Sequence, residues 1–312
     1  MSNYNGKYQP GSENNNWNMA FDLVGENSSV LDIGCSKGDF GEALSFYKKC
    51  TVDGVEPDFE DSKAASEKLV NVFNNSVEKA IGTDLKNKKY DHIVLLDVIE
   101  HINDPVSVLS ELSNNLSPDG SIIFSIPNMA HISVRVMLMG GDFTYGKTGI
   151  LDNTHLHFYT EKEIQRVFNE SGYKISDIDG VIVDYDDNIL KNELSEVGVT
   201  NLTEDLLKTL DSNNGDVYQF VGKAVIGKES KNVEERPFSS PDAKNNISRF
   251  YQSVTEEKQR ACKEEINTRD EKIKDIEGDL SIAVTELEEI KSSRTWMVVS
   301  KLRNFVKGNN KK

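Results

Sequence analysis

Short apolar runs alternate with longer stretches of helical spacing through the first two-thirds of the chain. The runs VLDIG (30–34), TVDGVE (51–56), HIVLLD (92–97) and SIIFSIP (121–127) are rich in Val and Ile and bounded by turn residues. That pattern predicts strands buried on both faces. Between them, 38–49, 58–73 and 103–116 carry apolar residues at helical spacing. Strand and helix taking turns in this way predict an α/β fold around a doubly wound, mostly parallel sheet. Ahead of the first strand, WNMAFDLVG (17–25) predicts a short amphipathic helix ending at Gly25, preceded by a polar lead-in over 1–16.

After Pro127 the regular alternation loosens. Residues 128–159 contain Gly140, Gly141, Gly146 and Gly149 with His131, His155 and His157, and predict an irregular cover. Residues 160–172 open on Thr160 and Glu163, a capping-box pair, and close on Gly172, so they predict a helix. Two further strands are expected at 173–184 and 216–226, separated by a polar helical insert. The second of these completes the sheet and closes a domain over 1–228.

Beyond it the period changes. Residues 229–250 are polar, carry Pro237 and Pro241, and read as a linker. Over 251–293, Ile266, Ile273, Leu280 and Leu287 recur every seven residues, with Ile276, Ala283 and Ile290 at the second seam position. This heptad seam predicts an α-helical coiled coil and a homo-oligomer. Residues 294–312 form a basic amphipathic tail: Arg294, Lys301, Arg303, Lys307, Lys311 and Lys312 surround Trp296, Val299, Phe305 and Val306 with no acid. Such a segment suits a weak membrane-surface contact.

The whole chain has a formal charge of −16, which excludes nucleic acid as the expected partner, because phosphate binding needs clustered Lys and Arg. Cys35, Cys50 and Cys262 show neither metal-ligand spacing nor a paired framework, so no metal site is expected and a reducing compartment is. The N-terminus lacks the apolar core of a signal peptide, and no apolar run approaches the roughly 20 residues that span a bilayer. The expected location is cytoplasmic, with the tail as a peripheral contact at the inner membrane face.

The densest chemistry lies in VLDIGCSKGDFG (30–41), where a strand enters a glycine turn and a helix follows at once. Asp32 sits inside the strand end, an anionic position that suits a ligand with a cationic amino-acid end rather than a pyrophosphate. The next strand ends in Glu56, placed to accept hydrogen bonds from both hydroxyls of a ribose. Four motifs occur in order: VLDIGCSKG, VDGVEPD, YDHIVLLDVIEHINDP and LSPDGSIIFSIPN. Together they resemble the class I methyltransferases that use S-adenosyl-L-methionine, over roughly residues 15–227. The resemblance implies a Rossmann-like sheet with that cofactor at its carboxyl edge. It implies that Asp32, Gly34 and Gly38, with Cys35 and Ser36 between them, line the turn beneath the methionine portion. By the same resemblance Glu56, followed by Pro57, holds the ribose. Asp84 and Leu85 sit near the adenine, and Asp97 faces the cofactor from the end of the fourth strand. Ser36 departs from the glycine usual there.

The run at 141–173 is also similar to the acceptor side of bacterial methyltransferases of cell-surface polysaccharide synthesis, and the tail SSRTWMVVSKLRNF (292–305) to ends of proteins from that setting. A glycan or small-molecule acceptor, methylated on oxygen, is the expectation. A sugar hydroxyl needs a base beside it during transfer, and His155 and His101 are the candidates. Two other readings stand beside it: methylation of an isoprenoid quinone or similar small molecule, which the LDVIEH strand also resembles, and a methyltransferase-like scaffold that oligomerises without turnover.

Overall fold

The computed structural model describes residues 14–183, 187–201 and 203–227, together with Lys272 and Lys274, both helical. The chain divides into two units, Met1–Ser248 and Arg249–Lys312, and all the elements described below belong to the first. The linker, the tail and, but for those two lysines, the coiled coil lie outside the described residues.

In chain order the elements are α1 (Asn16–Leu23), β1 (Ser29–Ile33), α2 (Asp39–Lys48), β2 (Thr51–Val55), α3 (Phe59–Ala65), β3 (Asn71–Phe73), α4 (Val77–Gly82), β4 (Tyr90–Leu96), α5 (Pro105–Leu112), β5 (Leu116–Pro127), α6 (Ile132–Met139), α7 (Glu161–Glu170), β6 (Tyr173–Ile182), α8 (Asp187–Glu196), α9 (Glu204–Asp211) and β7 (Val217–Ile226). The strands form one seven-stranded sheet in the order β3-β2-β1-β4-β5-β7-β6. The first five are parallel, while β7 runs antiparallel to both β5 and β6. The sheet is therefore the mostly parallel, doubly wound one expected from the alternation of runs.

Each central strand buries both faces, which is why its sequence is a continuous apolar run. Along β1, Leu31 and Ile33 enter one core with Ile93, Leu95 and Phe124, while Val30 enters the opposite core with Val52, Val94 and Ile123. The helices begin where short polar side chains satisfy their first backbone N–H groups. Asp58 accepts from Glu60 and Asp61 at the start of α3, and Asp104 accepts from Ser107 at the start of α5, whose first residue is Pro105. Thr160 caps α7 through the Glu163 N–H, but the Glu163 side chain turns to Arg166 at 2.6 Å instead of closing the capping box.

Some elements depart from the sequence pattern, among them α4, where no helix was expected. The helix expected over 58–73 ends at Ala65, and Asn71–Phe73 pair with β2 as an edge strand, Val72 beside Gly54. Leu69, Val72 and Phe73 sit at helical spacing, so periodicity could not separate three strand residues from the preceding helix. Inside the irregular cover, Ile132–Met139 form α6, capped by His131.

The strand order reverses at β1, since β2 and β3 lie on one side and β4 and β5 on the other. Open α/β sheets bind ligands in the crevice that opens at the carboxyl ends of the strands flanking such a reversal. Asp32, Glu56 and Asp97 all fall at that edge.

Candidate active site

The turn after β1 is shaped by backbone that few side chains tolerate. Gly34 has φ +71°, and a Cβ there would lie 2.6 Å from the Val98 Cγ2; Gly38 has φ +75°, and its Cβ would meet the Ala65 backbone at 3.1 Å. Ser36, in place of the usual glycine, also takes a left-handed conformation, with φ 46°. The N–H groups of Gly34 and Cys35 both bond the Val55 carbonyl, at 2.8 and 3.2 Å, tying the turn to the end of β2.

Glu56, the residue after β2, is 8% exposed and holds this turn from the other side. One carboxylate oxygen accepts from the Ser36 N–H and the other from the Asp58 N–H, each at 2.9 Å. A carboxylate has about four lone-pair sites, so one remains on each oxygen for a diol. Burial raises the Glu56 pKa, opposed by those two N–H groups. Asp32 is 4% exposed, and its Oδ2 has no hydrogen-bond partner. Burial, with the Glu56 charge added, pushes its pKa up to about 7. An orphaned carboxylate of this kind is stabilised by a cation brought to it. Cys35 is buried beneath the turn, where desolvation first and then Asp32 and Glu56 push its thiol pKa up and keep it unreactive.

At the outer end of the crevice the Asn74 amide donates to the carbonyls of Glu56 and Pro57 at 2.9 and 3.0 Å. Asn75, just past β3, donates to Asp84 at 2.7 Å. Asp84 is thus joined to this edge through Asn75, which follows a strand that the sequence pattern does not mark. Leu85 has no exposed surface and packs in the core with Tyr90 and Leu112.

Asp97 is the first residue after β4 and has φ 56°. Its carboxylate accepts from the Ser125 hydroxyl at 2.9 Å, from the Gln219 amide, and from the Asn16 amide at 3.3 Å. Gln219 comes from β7, far along the chain; its only trace in the sequence is a polar residue inside the apolar run VYQFV. Burial raises the Asp97 pKa, opposed by the bonds from Ser125 and Gln219.

Next along the crevice the segment 128–159 folds back over the end of β4. The N–H groups of Leu156 and His157 donate to the Glu100 carbonyl, at 2.9 and 3.2 Å, and the Met129 N–H donates to Tyr159 at 2.7 Å. A recess results, lined by Glu100, Met129, His155, His157, Phe158 and Tyr159. Glu100 is 1% exposed, both its carboxylate oxygens lack partners, and the Tyr159 hydroxyl is likewise buried without one. Burial, and then the Asp97 charge, raise the Glu100 pKa well above the ordinary carboxylate range. The rings of His101 and His155 meet edge to face with centroids 4.8 Å apart. The donor atoms of Glu100, His101 and His155 all lie within 4.8 Å of one another. This grouping goes beyond the sequence reading, which expected no metal ligands. Burial lowers the His155 pKa, opposed by the Ile150 carbonyl, so the ring is neutral at pH 7. His131 stands apart as the cap of α6, its Nε2 3.2 Å from the Val183 carbonyl.

The crevice has the parts a nucleoside with a charged amino-acid end requires: a turn open to close approach, an acid for the ribose, an orphaned acid for an ammonium group, and polar side chains at the outer edge. Fold and site together are those of a class I methyltransferase domain, and the crevice suits S-adenosyl-L-methionine. A profile of the methyltransferase-domain family matches residues 17–177, just over half of the chain, and the chain belongs to that family. Its curated relatives include the mitochondrial ubiquinone biosynthesis O-methyltransferase of Dictyostelium discoideum, 22% identical over 171 residues, 50% of this chain and 53% of the relative. The ubiquinone biosynthesis O-methyltransferase of Rickettsia canadensis is 26% identical over 169 residues, 53% of this chain and 68% of the relative. The chain thus spans between about half and two-thirds of the length of these relatives. Among solved structures, a methyltransferase of Thermotoga maritima described as a possible histamine N-methyltransferase is 16% identical, covering 67% of this chain and 87% of its own, with a TM-score of 0.45. The plantazolicin methyltransferase in complex with a substrate analogue and S-adenosylhomocysteine is 16% identical, covering 68% of this chain and 81% of its own, with a TM-score of 0.44.

Proposed function

We propose that the domain methylates a hydroxyl of a small ring compound or sugar seated against residues 128–159. The observation that carries this reading is the meeting of His101 and His155 with buried Glu100 at the end of β4, beside the cofactor edge. Two of the curated relatives are named as O-methyltransferases of ubiquinone biosynthesis, which agrees with an oxygen acceptor.

Bound S-adenosyl-L-methionine supplies an electrophilic methyl on a sulfonium. The residues around it have three tasks. Glu56, Asp32 and the glycine turn bind and orient the donor. Segment 128–159 excludes water from the line of displacement. The Glu100–His101–His155 cluster draws the proton from the acceptor oxygen as the new O–CH3 bond forms and the S–CH3 bond breaks. Nδ1 of His155 lies 3.0 Å from the Ile150 carbonyl, to which it donates, so its Nε2 keeps a lone pair.

A ring-shaped acceptor is favoured by one further feature. Phe143, Tyr145 and Phe158 stand with ring centroids between 5.5 and 6.0 Å, and Phe143 and Tyr145 are exposed. Aromatic faces beside a recess give a flat ring something to stack on. A quinone-like ring fits the same surface. The direct test is transfer of labelled methyl to a panel of phenolic and saccharide acceptors, in wild type and His155→Ala. Transfer that depends on His155 supports the reading; no transfer to any hydroxyl, with transfer to amines instead, overturns it.

The C-terminal third extends the same reading from its sequence alone: a linker over 229–250, a homo-oligomerising coiled coil over 251–293, and a basic tail over 294–312 for a weak surface contact. No helix among the described residues is long and apolar enough to cross a membrane.

A further inference from the structure

We infer that Glu100, His101 and His155 form a binding site for one divalent transition-metal ion, which holds and acidifies the acceptor hydroxyl. The inference rests on the proposed function and deepens it by naming what activates the acceptor: with the ion bound, the cluster promotes loss of the proton through the metal, in place of taking it on a histidine nitrogen.

Four observations point to a cation. The three donor atoms lie within 4.8 Å of one another, although Glu100 and His101 are adjacent in the chain and His155 comes from the covering segment. Both imidazoles are oriented from behind: Nδ1 of His101 is 3.1 Å from the Thr154 carbonyl, and Nδ1 of His155 is 3.0 Å from the Ile150 carbonyl. A histidine that ligates through one nitrogen commonly donates from the other to a backbone carbonyl, and that bond sets the tautomer with Nε2 free. The Glu100 carboxylate, 1% exposed, has no hydrogen bond on either oxygen. A buried carboxylate without partners is costly unless something positive completes it. Finally, Asp97 and Asp152 both act electrostatically on Glu100, so the surroundings are negative.

Two imidazoles and one carboxylate suit the divalent ions from Mn²⁺ to Zn²⁺ rather than Mg²⁺ or Ca²⁺, which prefer oxygen throughout. Ligand atoms sharing a Zn²⁺ at about 2.0–2.2 Å stand roughly 3–3.5 Å apart. Side-chain rotation therefore has to draw the cluster inward by about 1 Å. Three protein ligands leave coordination positions for an oxygen of the acceptor; Glu100 and His155 also line the recess, with His157 and Tyr159. A hydroxyl bound there has its pKa lowered, and its proton passes to water as the methyl arrives. This gives an unpaired glutamate beside two histidines a task that a lone histidine base does not.

The test uses the full-length chain freed of metal with a chelator and titrated with Co²⁺, then with Zn²⁺ in competition. One ion per chain is expected, with Co²⁺ ligand-field absorption typical of nitrogen and oxygen donors. Glu100→Gln and His155→Ala should each weaken binding by about 10-fold or more, with S-adenosylhomocysteine affinity unchanged as the control for folding. Absence of binding overturns the inference. So does a thiolate-to-metal charge-transfer band, which would place the ion on cysteine, or unchanged affinity in both variants. If a variant fails to fold, X-ray absorption on wild type decides, since two imidazoles in the zinc shell are required. A chain that methylates hydroxyls yet binds no metal leaves the proposed function standing and removes only this site.

Discussion

The Glu56 carboxylate accepts the Ser36 backbone N–H at 2.9 Å, so the residue that ends β2 also fixes the turn that follows β1. In the proposed donor site one side chain would serve twice, by contacting the ribose and by holding the loop beneath it. Glu56→Ala should weaken S-adenosylmethionine binding by about 1.5–3 kcal/mol, the usual scale for a lost hydrogen bond to a charged group. Calorimetry on wild type and variant measures this; equal affinities would remove Glu56 from the donor site.

Asp32 gives donor binding a pH dependence. Its folded pKa, about 7, lies above the ordinary 3.8. Between those values the unfolded chain has already released a proton that the folded chain keeps, so the stability of the ligand-free domain falls as pH rises through that window and levels off above it. Binding an ammonium group favours the ionised acid. Affinity for S-adenosylmethionine should accordingly increase from pH 6 to pH 8, by up to about 10-fold per unit where Asp32 is protonated in the free protein. Asp32→Asn should flatten that dependence. A wild-type profile as flat as that of the variant would separate Asp32 from the cationic end of the donor.

At Gly34 an added methyl has two costs. The φ of +71° is unfavourable for alanine, and its Cβ would press on Val98 at 2.6 Å. Gly34→Ala is expected to lower stability by about 1–3 kcal/mol and to weaken donor binding as the turn shifts. Chemical denaturation with and without S-adenosylhomocysteine reads both effects.

On the proposed function, Phe143 and Tyr145 touch the acceptor and not the donor. Replacing both with alanine should raise the acceptor KM several-fold and leave donor affinity unchanged, since their rings pack with Phe158 and each other. Loss of donor binding in the double variant would make these rings structural.

For the C-terminal third, the full chain and one stopped at Glu229 should differ in two properties. The full chain is expected to oligomerise by light scattering and to sediment with anionic vesicles at low salt, each tail basic group contributing about 1 kcal/mol near the surface and avidity multiplying the effect. Both properties should vanish on truncation while donor binding survives. A monomeric full chain that leaves vesicles behind would end this reading.

Much of the molecule is written locally. The central strands appear as runs because both their faces are buried, and the candidate donor-site residues Asp32, Gly34, Gly38 and Glu56 sit at strand ends or in the turn that follows, positions that short-range pattern marks. What the tertiary structure decided depends on residues far apart in the chain. The edge strand β3 exists because β2 offers it a partner, not because Asn71–Phe73 differ from helix in period. Gln219 reaches Asp97 because β7 inserts antiparallel between β5 and β6. Leu85 stands beside Asp84 in sequence yet points into the core, since neighbouring positions face opposite environments. His155 joins Glu100 and His101 only when the covering segment docks its Leu156 and His157 N–H groups on the Glu100 carbonyl. Hydrophobic period encodes burial along one element; the meeting of side chains from different elements is set by packing between them, which no local pattern contains.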